Sequence, residues 1–279
     1  MRYVSFLRPE GTPSFGALLN GGKMVGDLGN VGEAAFLADA LADGTLASRD
    51  AFETYTFSEV TLLPVIPNPG KILCVGLNYA NHIAEMGREQ KSFPAIFTRW
   101  ADTLVAHGKP LVRPRESAEF DYEGELAVVI GKQGRRIARE DALTHVAGYS
   151  IFHDASVRDW QGHNSQFTPG KNFPSTGGFG PALVTHDEIA DLASQRVQTR
   201  LNGELVQDQP ISDMIHDVPD IIAYCSAFTE LHPGDVIATG TPGGVGKGRN
   251  PPLYMKDGDR VEVSIGAIGV LSNPVIAEK

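Results

Sequence analysis

Glu123 and Glu125 stand two residues apart at the mouth of an apolar run, Leu126–Ile130. On an extended strand such residues share a face, so both carboxylates point the same way and Gly124 leaves the opposite face bare. Like charges that close repel unless a cation lies between them. Asp154 follows a second strand-like stretch, Gly148–His153, and would complete a three-carboxylate set. Hard oxygen donors suit Mg2+ or Mn2+ better than Zn2+ or copper. The plain alternatives are a solvated strand end for the two glutamates and turn or cap duty for Asp154. The eight histidines show neither His-x-His nor His-Glu-x-x-His spacing, which weakens a zinc reading.

A second pair is His82 and Glu85, one helical turn apart in the segment Asn78–Glu85. A histidine beside a carboxylate can orient and deprotonate a water; the alternative is a solvated helix face. Lys171 lies in the Gly- and Pro-rich stretch 170–178, where it could place positive charge near an anionic intermediate or simply sit on a surface loop. The run 239–248 suggests a phosphate loop, but Thr241 occupies its first glycine position and Gly248 replaces the Ser or Thr that would hold Mg2+. Its turn, from Gly240 onward, can still offer backbone N–H groups and the Thr241 hydroxyl to a carboxylate. There is no dinucleotide-binding fingerprint and no Gly-x-Ser-x-Gly elbow. Neither Cys74 nor Cys225 has a histidine nearby in sequence, so covalent Ser or Cys catalysis has no signal.

The elements that must position these groups are mostly strands. Residues 71–75 and 126–130 read as buried strands, and the latter is apolar on both faces. Residues 17–19 and 24–25 flank Asn20-Gly21-Gly22, a hairpin signal, and Val197, Thr199 and Leu201 precede a second one at Asn202-Gly203. Val261, Val263 and Ile265 alternate with polar residues in a half-buried strand. A short helix is expected over Glu33–Asp43, and a longer one from about Pro219 with Ile221, Ile222, Cys225 and Phe228 on one face. Residues 61–70 carry Pro64, Pro67 and Pro69 and read as a linker. The expected division is therefore a small N-terminal α+β domain over 1–70 and a catalytic domain over 71–279. Strands dominate without regular alternation with helices, so the fold class is α+β, mainly β.

Composition narrows the function. The 279 residues carry 34 acidic and 24 basic side chains, a net charge of −10, which argues against nucleic acid as a partner. No apolar run approaches a membrane span, and the first residues lack a secretory apolar core, so a cytoplasmic protein is expected, with no membrane partner. Two cysteines exclude a disulfide framework.

Taken in order, residues 76–82 (GLNYANH), 121–131 (DYEGELAVVIG), 170–173 (GKNF), 200–204 (RLNGE) and 233–242 (PGDVIATGTP) resemble the fumarylacetoacetate hydrolase family. The resemblance spans roughly residues 71–279. It implies a mixed β-sandwich roll, a bound Mg2+ or Mn2+ and a homodimer. It makes Glu123, Glu125 and Asp154 the metal ligands, His82 with Glu85 the water-activating pair, and Lys171 the residue that stabilises enolate charge. Gln161 and Thr241, with Gly240 in the same turn, fall where relatives touch substrate, and Ser175 stands where many relatives carry Thr near the metal. Val75 and Leu77 replace a fourth carboxylate and a substrate-binding Tyr of the animal enzymes, which favours the bacterial acylpyruvate branch. The reaction so implied is hydrolysis of a C–C bond in a 2,4-dioxo acid such as maleylpyruvate or fumarylpyruvate, giving pyruvate and a carboxylic acid, as in the breakdown of aromatic compounds. Oxaloacetate decarboxylation, isomerisation of a 2-hydroxymuconate-type diacid, and non-catalytic binding of a 2-oxo acid are the alternatives.

Overall fold

Strand Gly124–Ile130 is the centre of the molecule, and every residue in it is buried. The computed structural model describes residues 1–29, 36–87, 89 and 92–279. Alternation divides the strand between two cores. Leu126, Val128 and Ile130 enter one, with Val263, Ile265 and Leu271 of a second sheet and with Ile221, Ile222 and Cys225. Ala127 and Val129 enter the other, with Phe152, Phe179, Cys74, Phe15, Leu37, Val65 and Ile66. Burial on both faces is why the strand reads as an unbroken apolar run.

The large sheet has twelve strands among the described residues. Its main path runs from Glu53–Thr56 through Met24–Asp27, Pro13–Leu19 and Arg2–Leu7 to Gly177–Val184, Val146–Asp154 and Gly124–Ile130. It continues through Val236–Ala238 and Ile72–Gly76 to Ala95–Arg99. A five-stranded sheet runs from Glu204–Pro210 through Arg196–Leu201, Arg260–Ile265 and Gly269–Ala277 to Leu111–Arg113 and closes over one face. The fold is mainly β with mixed sheets, as the strand signals imply. Both hairpins form, with Leu18 opposite Val25 and Leu201 opposite Glu204. The helix is Val218–Phe228, and the Asp217 side chain caps it by accepting from Asp220 N–H at 2.9 Å.

Two segments differ from the reading of the sequence. Residues 61–70 are no free tether. Thr61–Leu62 pairs antiparallel with Arg2–Leu7, Ser5 Oγ donates to Val65 O at 2.8 Å, and Val65 and Ile66 are fully buried. The prolines flank these contacts and do not interrupt them. Arg2 and Tyr3 pair with Val184 and Leu183, so one sheet continues across residue 70. The first helix is Leu37–Ala42, and residues 33–35 of the expected helix lie outside those described. Among the described residues no helix is long and apolar enough to cross a membrane.

Candidate active site

Antiparallel pairing sets Gly124 opposite His153 and Glu125 opposite Phe152, and Asp154 N–H donates to Glu123 O at 2.9 Å. That register brings the end of one strand against the start of the other. Carboxylate oxygens of Glu123, Glu125 and Asp154 accordingly lie within 4.8 Å of one another, on residues only 5, 2 and 0% exposed. A side chain at Gly124 would put its Cβ 2.3 Å from Thr199 Oγ1, so the bare face seen in the sequence is where the second sheet packs.

Three cations brace the cluster. Lys171 Nζ donates to Glu123 Oε2 at 2.7 Å and to Asp154 Oδ2. Arg158 spans Asp121 Oδ2 and Glu123 Oε1, both at 2.7 Å. Arg99 reaches Asp154 Oδ1 and Thr176 Oγ1. Lys171 is buried at the end of the short helix Thr168–Lys171, not on a surface loop. That helix meets Arg158–Gln161 through Gly170, whose Cβ would fall 2.5 Å from Gln161 N.

Burial alone would raise the Glu123 carboxyl, but the Lys171 ammonium and the Arg158 guanidinium overcome it and hold Glu123 below the ordinary carboxylate range. Glu125 goes the other way. Burial, then the charges of Asp154 and Glu123, push its carboxyl well above the ordinary range. Its hydrogen-bond donor is the backbone N–H of Gly240 at 2.8 Å, and no salt bridge reaches it among the described residues. Gly240 approaches so closely because it has φ +103° and no side chain; a Cβ there would lie 2.8 Å from Val75 O. Three converging carboxylates, one of them without a salt bridge among the described residues, suit a hard divalent ion of the Mg2+ or Mn2+ type, which Glu123, Glu125 and Asp154 would hold.

The short helix Ala80–Glu85 carries the second pair. His82 Nδ1 lies 2.8 Å from Glu85 Oε1, and Glu85 Oε2 accepts from Gly244 N–H at 2.8 Å. His82 lines the same cavity as Glu123 and Glu125, leaving Nε2 as the nitrogen without a carboxylate partner. Gln161 and Thr241 line it too. Thr241 Oγ1 donates to Gly124 O and accepts from Gln207 Nε2, each at 2.9 Å, so it also holds the strand end. Ser175 does not line this cavity. It faces a separate groove with Phe173, Pro174 and Glu278, and its neighbour Thr176 takes the inward place on Arg99. The cavity has a volume of about 70 Å3, with Val75, Leu77, Met86, Phe97 and Phe167 along its apolar side.

Arg158, Arg99 and Asp121 are site residues that the spacing arguments did not single out. Arg158 had a signal, since it stands four residues after Asp154 and Gln161 three further on, one turn apart on a helix. Arg99 had none, because its strand pairs with Ile72–Gly76 and only its side chain reaches Asp154, 55 residues away. Arg158 also carries a buried NH2 group that has no partner among the described residues. His153 is buried with both ring nitrogens unpartnered among the described residues and is pushed down to about 3 by burial and by the Arg99 charge, which keeps it neutral.

A β-rich scaffold that sets a buried carboxylate cluster able to hold a cation beside a cavity lined by Glu123, Glu125 and His82 suits a metal-assisted enzyme. The chain belongs to the fumarylacetoacetate hydrolase family: the model for the fumarylacetoacetate (FAA) hydrolase C-terminal domain matches residues 71–276. Oxaloacetate tautomerase YisK of Bacillus subtilis is 46% identical over 226 residues, covering 79% of this chain and 75% of that protein. Among solved structures, fumarylacetoacetate hydrolase from Exiguobacterium antarcticum is similar over the whole of both chains, with TM-score 0.88 and 38% identity. Maleylpyruvate hydrolase from Sphingobium sp. SYK-6 is similar over the same extent, with TM-score 0.81 and 27% identity.

Proposed function

We propose that this protein interconverts the enol and keto forms of a short 2-oxo diacid of the oxaloacetate class. The observation that carries the reading is that His82, oriented by Glu85, faces the carboxylate cluster across one small cavity. The likeness to an oxaloacetate tautomerase over four-fifths of the chain supports the same reaction.

A divalent ion held by Glu123, Glu125 and Asp154 would supply Lewis acidity and a template for the 2-oxo acid end. The protein supplies the rest. Glu85 accepts from His82 Nδ1–H, so Nε2 is the nitrogen that takes and returns a proton. In the ketonising direction the enol oxygen loses its proton and the adjacent carbon gains one, so atoms balance without water or a redox partner. The unpartnered NH2 of Arg158 is a donor for a substrate oxygen, and the Lys171 ammonium adds positive charge where an enolate would form.

The test follows the ultraviolet absorbance of enol-oxaloacetate with Mg2+ or Mn2+, against an EDTA control, while pyruvate and CO2 are assayed separately. Faster loss of the enol without CO2 supports the proposal. A second reading is hydrolysis of acylpyruvates, with His82 and Glu85 activating a water; the likeness to a maleylpyruvate hydrolase favours it. Pyruvate release from maleylpyruvate, fumarylpyruvate or acetylpyruvate, with no effect on enol decay, would put that reaction in place of tautomerisation. CO2 from oxaloacetate would instead make it a decarboxylase.

A further inference from the structure

Arg158, Lys171 and Lys247 are the Lys and Arg side chains that line the cavity among the described residues. Two of them are engaged: Arg158 by Asp121 and Glu123, Lys171 by Glu123 and Asp154. The Lys247 ammonium has no carboxylate partner among the described residues. Its backbone, in contrast, is fixed. Lys247 N–H donates to Asp121 Oδ2 at 2.9 Å and Gly246 N–H to Asp121 Oδ1 at 2.7 Å, within the turn Gly246–Gly248. Asp121 Oδ2 also accepts from Arg158 Nε at 2.7 Å, so one buried carboxylate ties Lys247 to the floor of the site. Lys247 is exposed and the carboxylate cluster is buried, so the cavity has Glu123 and Glu125 on its buried side and Lys247 on its open side.

We propose that Lys247 is the residue that selects a diacid, by pairing with the substrate carboxylate farthest from the cation site. A 2-oxo acid held at the buried carboxylates by its oxo-acid end directs its other end outward. The apolar side chains Val75, Leu77, Met86, Phe97 and Phe167 offer that end no donor, and Lys247 does. The inference rests on the diacid reading above.

The test compares wild type with Lys247→Met and Lys247→Arg. Because the side chain is exposed, neither change is expected to disturb folding, and melting temperature checks this. Binding is read by calorimetry with Mn2+ present, using malate against lactate, which differ by the distal carboxylate. Turnover is read as the ratio of kcat/KM for oxaloacetate to that for its 4-methyl ester. An exposed ion pair contributes up to about a fivefold preference. Wild type should therefore favour malate and the diacid by about three- to fivefold, Lys247→Arg should keep the preference, and Lys247→Met should lose it. Equal preference in wild type and Lys247→Met, or none in wild type, overturns the proposal. If Lys247→Met loses the malate preference while wild type leaves enol-oxaloacetate untouched, the tautomerase reading fails and the role of Lys247 stands. If oxaloacetate is ketonised but Lys247→Met discriminates fully, the reverse holds.

Discussion

Glu85 holds His82 Nδ1 with one carboxylate oxygen and the Gly244 N–H with the other, both at 2.8 Å, so it fixes the imidazole to the glycine-rich turn. In the proposed reaction His82 transfers the proton and Glu85 orients it. His82→Asn should lower kcat by about 10²–10⁴-fold, the usual contribution of a general acid–base. Glu85→Gln keeps an acceptor for Nδ1–H but removes the charge that favours the imidazolium, so a smaller loss is expected. The two kcat values, with melting temperatures as a folding control, check this order. A larger loss in Glu85→Gln than in His82→Asn would reverse the two roles.

Glu123 and Glu125 should respond oppositely to loss of charge. Glu123 is kept ionised by Lys171 and Arg158. Glu123→Gln takes one carboxylate from each of two buried cations, which keep Asp154 and Asp121, and should destabilise the metal-free protein by less than the about 3–5 kcal/mol of a fully broken buried pair. Glu125 is crowded by burial and by Asp154 and Glu123, so its ionised form opposes folding at neutral pH. Glu125→Gln should leave the metal-free protein as stable as wild type or more so, yet abolish the rise in melting temperature that Mn2+ produces. Urea unfolding in EDTA, followed by melting with Mn2+, measures both. Equal destabilisation by the two variants would contradict the charge balance described here.

Much of this site is visible in the linear chain because its chemistry sits at strand ends. The i, i+2 spacing of Glu123 and Glu125 gives their shared face, and the i, i+3 spacing of His82 and Glu85 gives their contact. Lys171 was ambiguous because Gly and Pro around it signal a loop, while its burial depends on Gly170 packing against Gln161. Arg99 was invisible, since its link to Asp154 joins residues 55 apart. The proline-rich stretch 61–70 misleads for a related reason: proline reports local backbone bias, while burial of Val65 and Ile66 is set by strands and helices distant in sequence.

Gly170 allows Lys171 to reach the carboxylates. A Cβ at this position would lie 2.5 Å from both Gln161 Cβ and Gln161 N, and the backbone atom cannot rotate away. Gly170→Ala should therefore push the two short helices apart, at a cost of about 1–3 kcal/mol. Lys171 and Gln161 would move together, so kcat and Mn2+ affinity should fall in the same variant. A melting curve and a Mn2+ titration identical to wild type would show that the close approach has no consequence.

Acid sensitivity can be assigned to a residue away from the site. Ser272 N–H donates to His107 Nδ1 at 3.1 Å, and only a neutral imidazole offers that acceptor. Burial lowers the His107 pKa, and a backbone contact at Val270 offsets part of the effect. Because the folded pKa lies below the unfolded value near 6.5, the unfolded chain binds more protons in the interval between them. This contribution is present above about pH 6.5 and is lost as pH falls through the folded pKa. His107→Asn keeps an acceptor that does not titrate, so the loss of stability as pH falls below about 6.5 should become shallower. His153, pushed down to about 3, acts with the same sign over a wider window, so the slope should shrink without vanishing. Urea midpoints at several pH values measure it, and parallel curves for wild type and His107→Asn would remove His107 from the account.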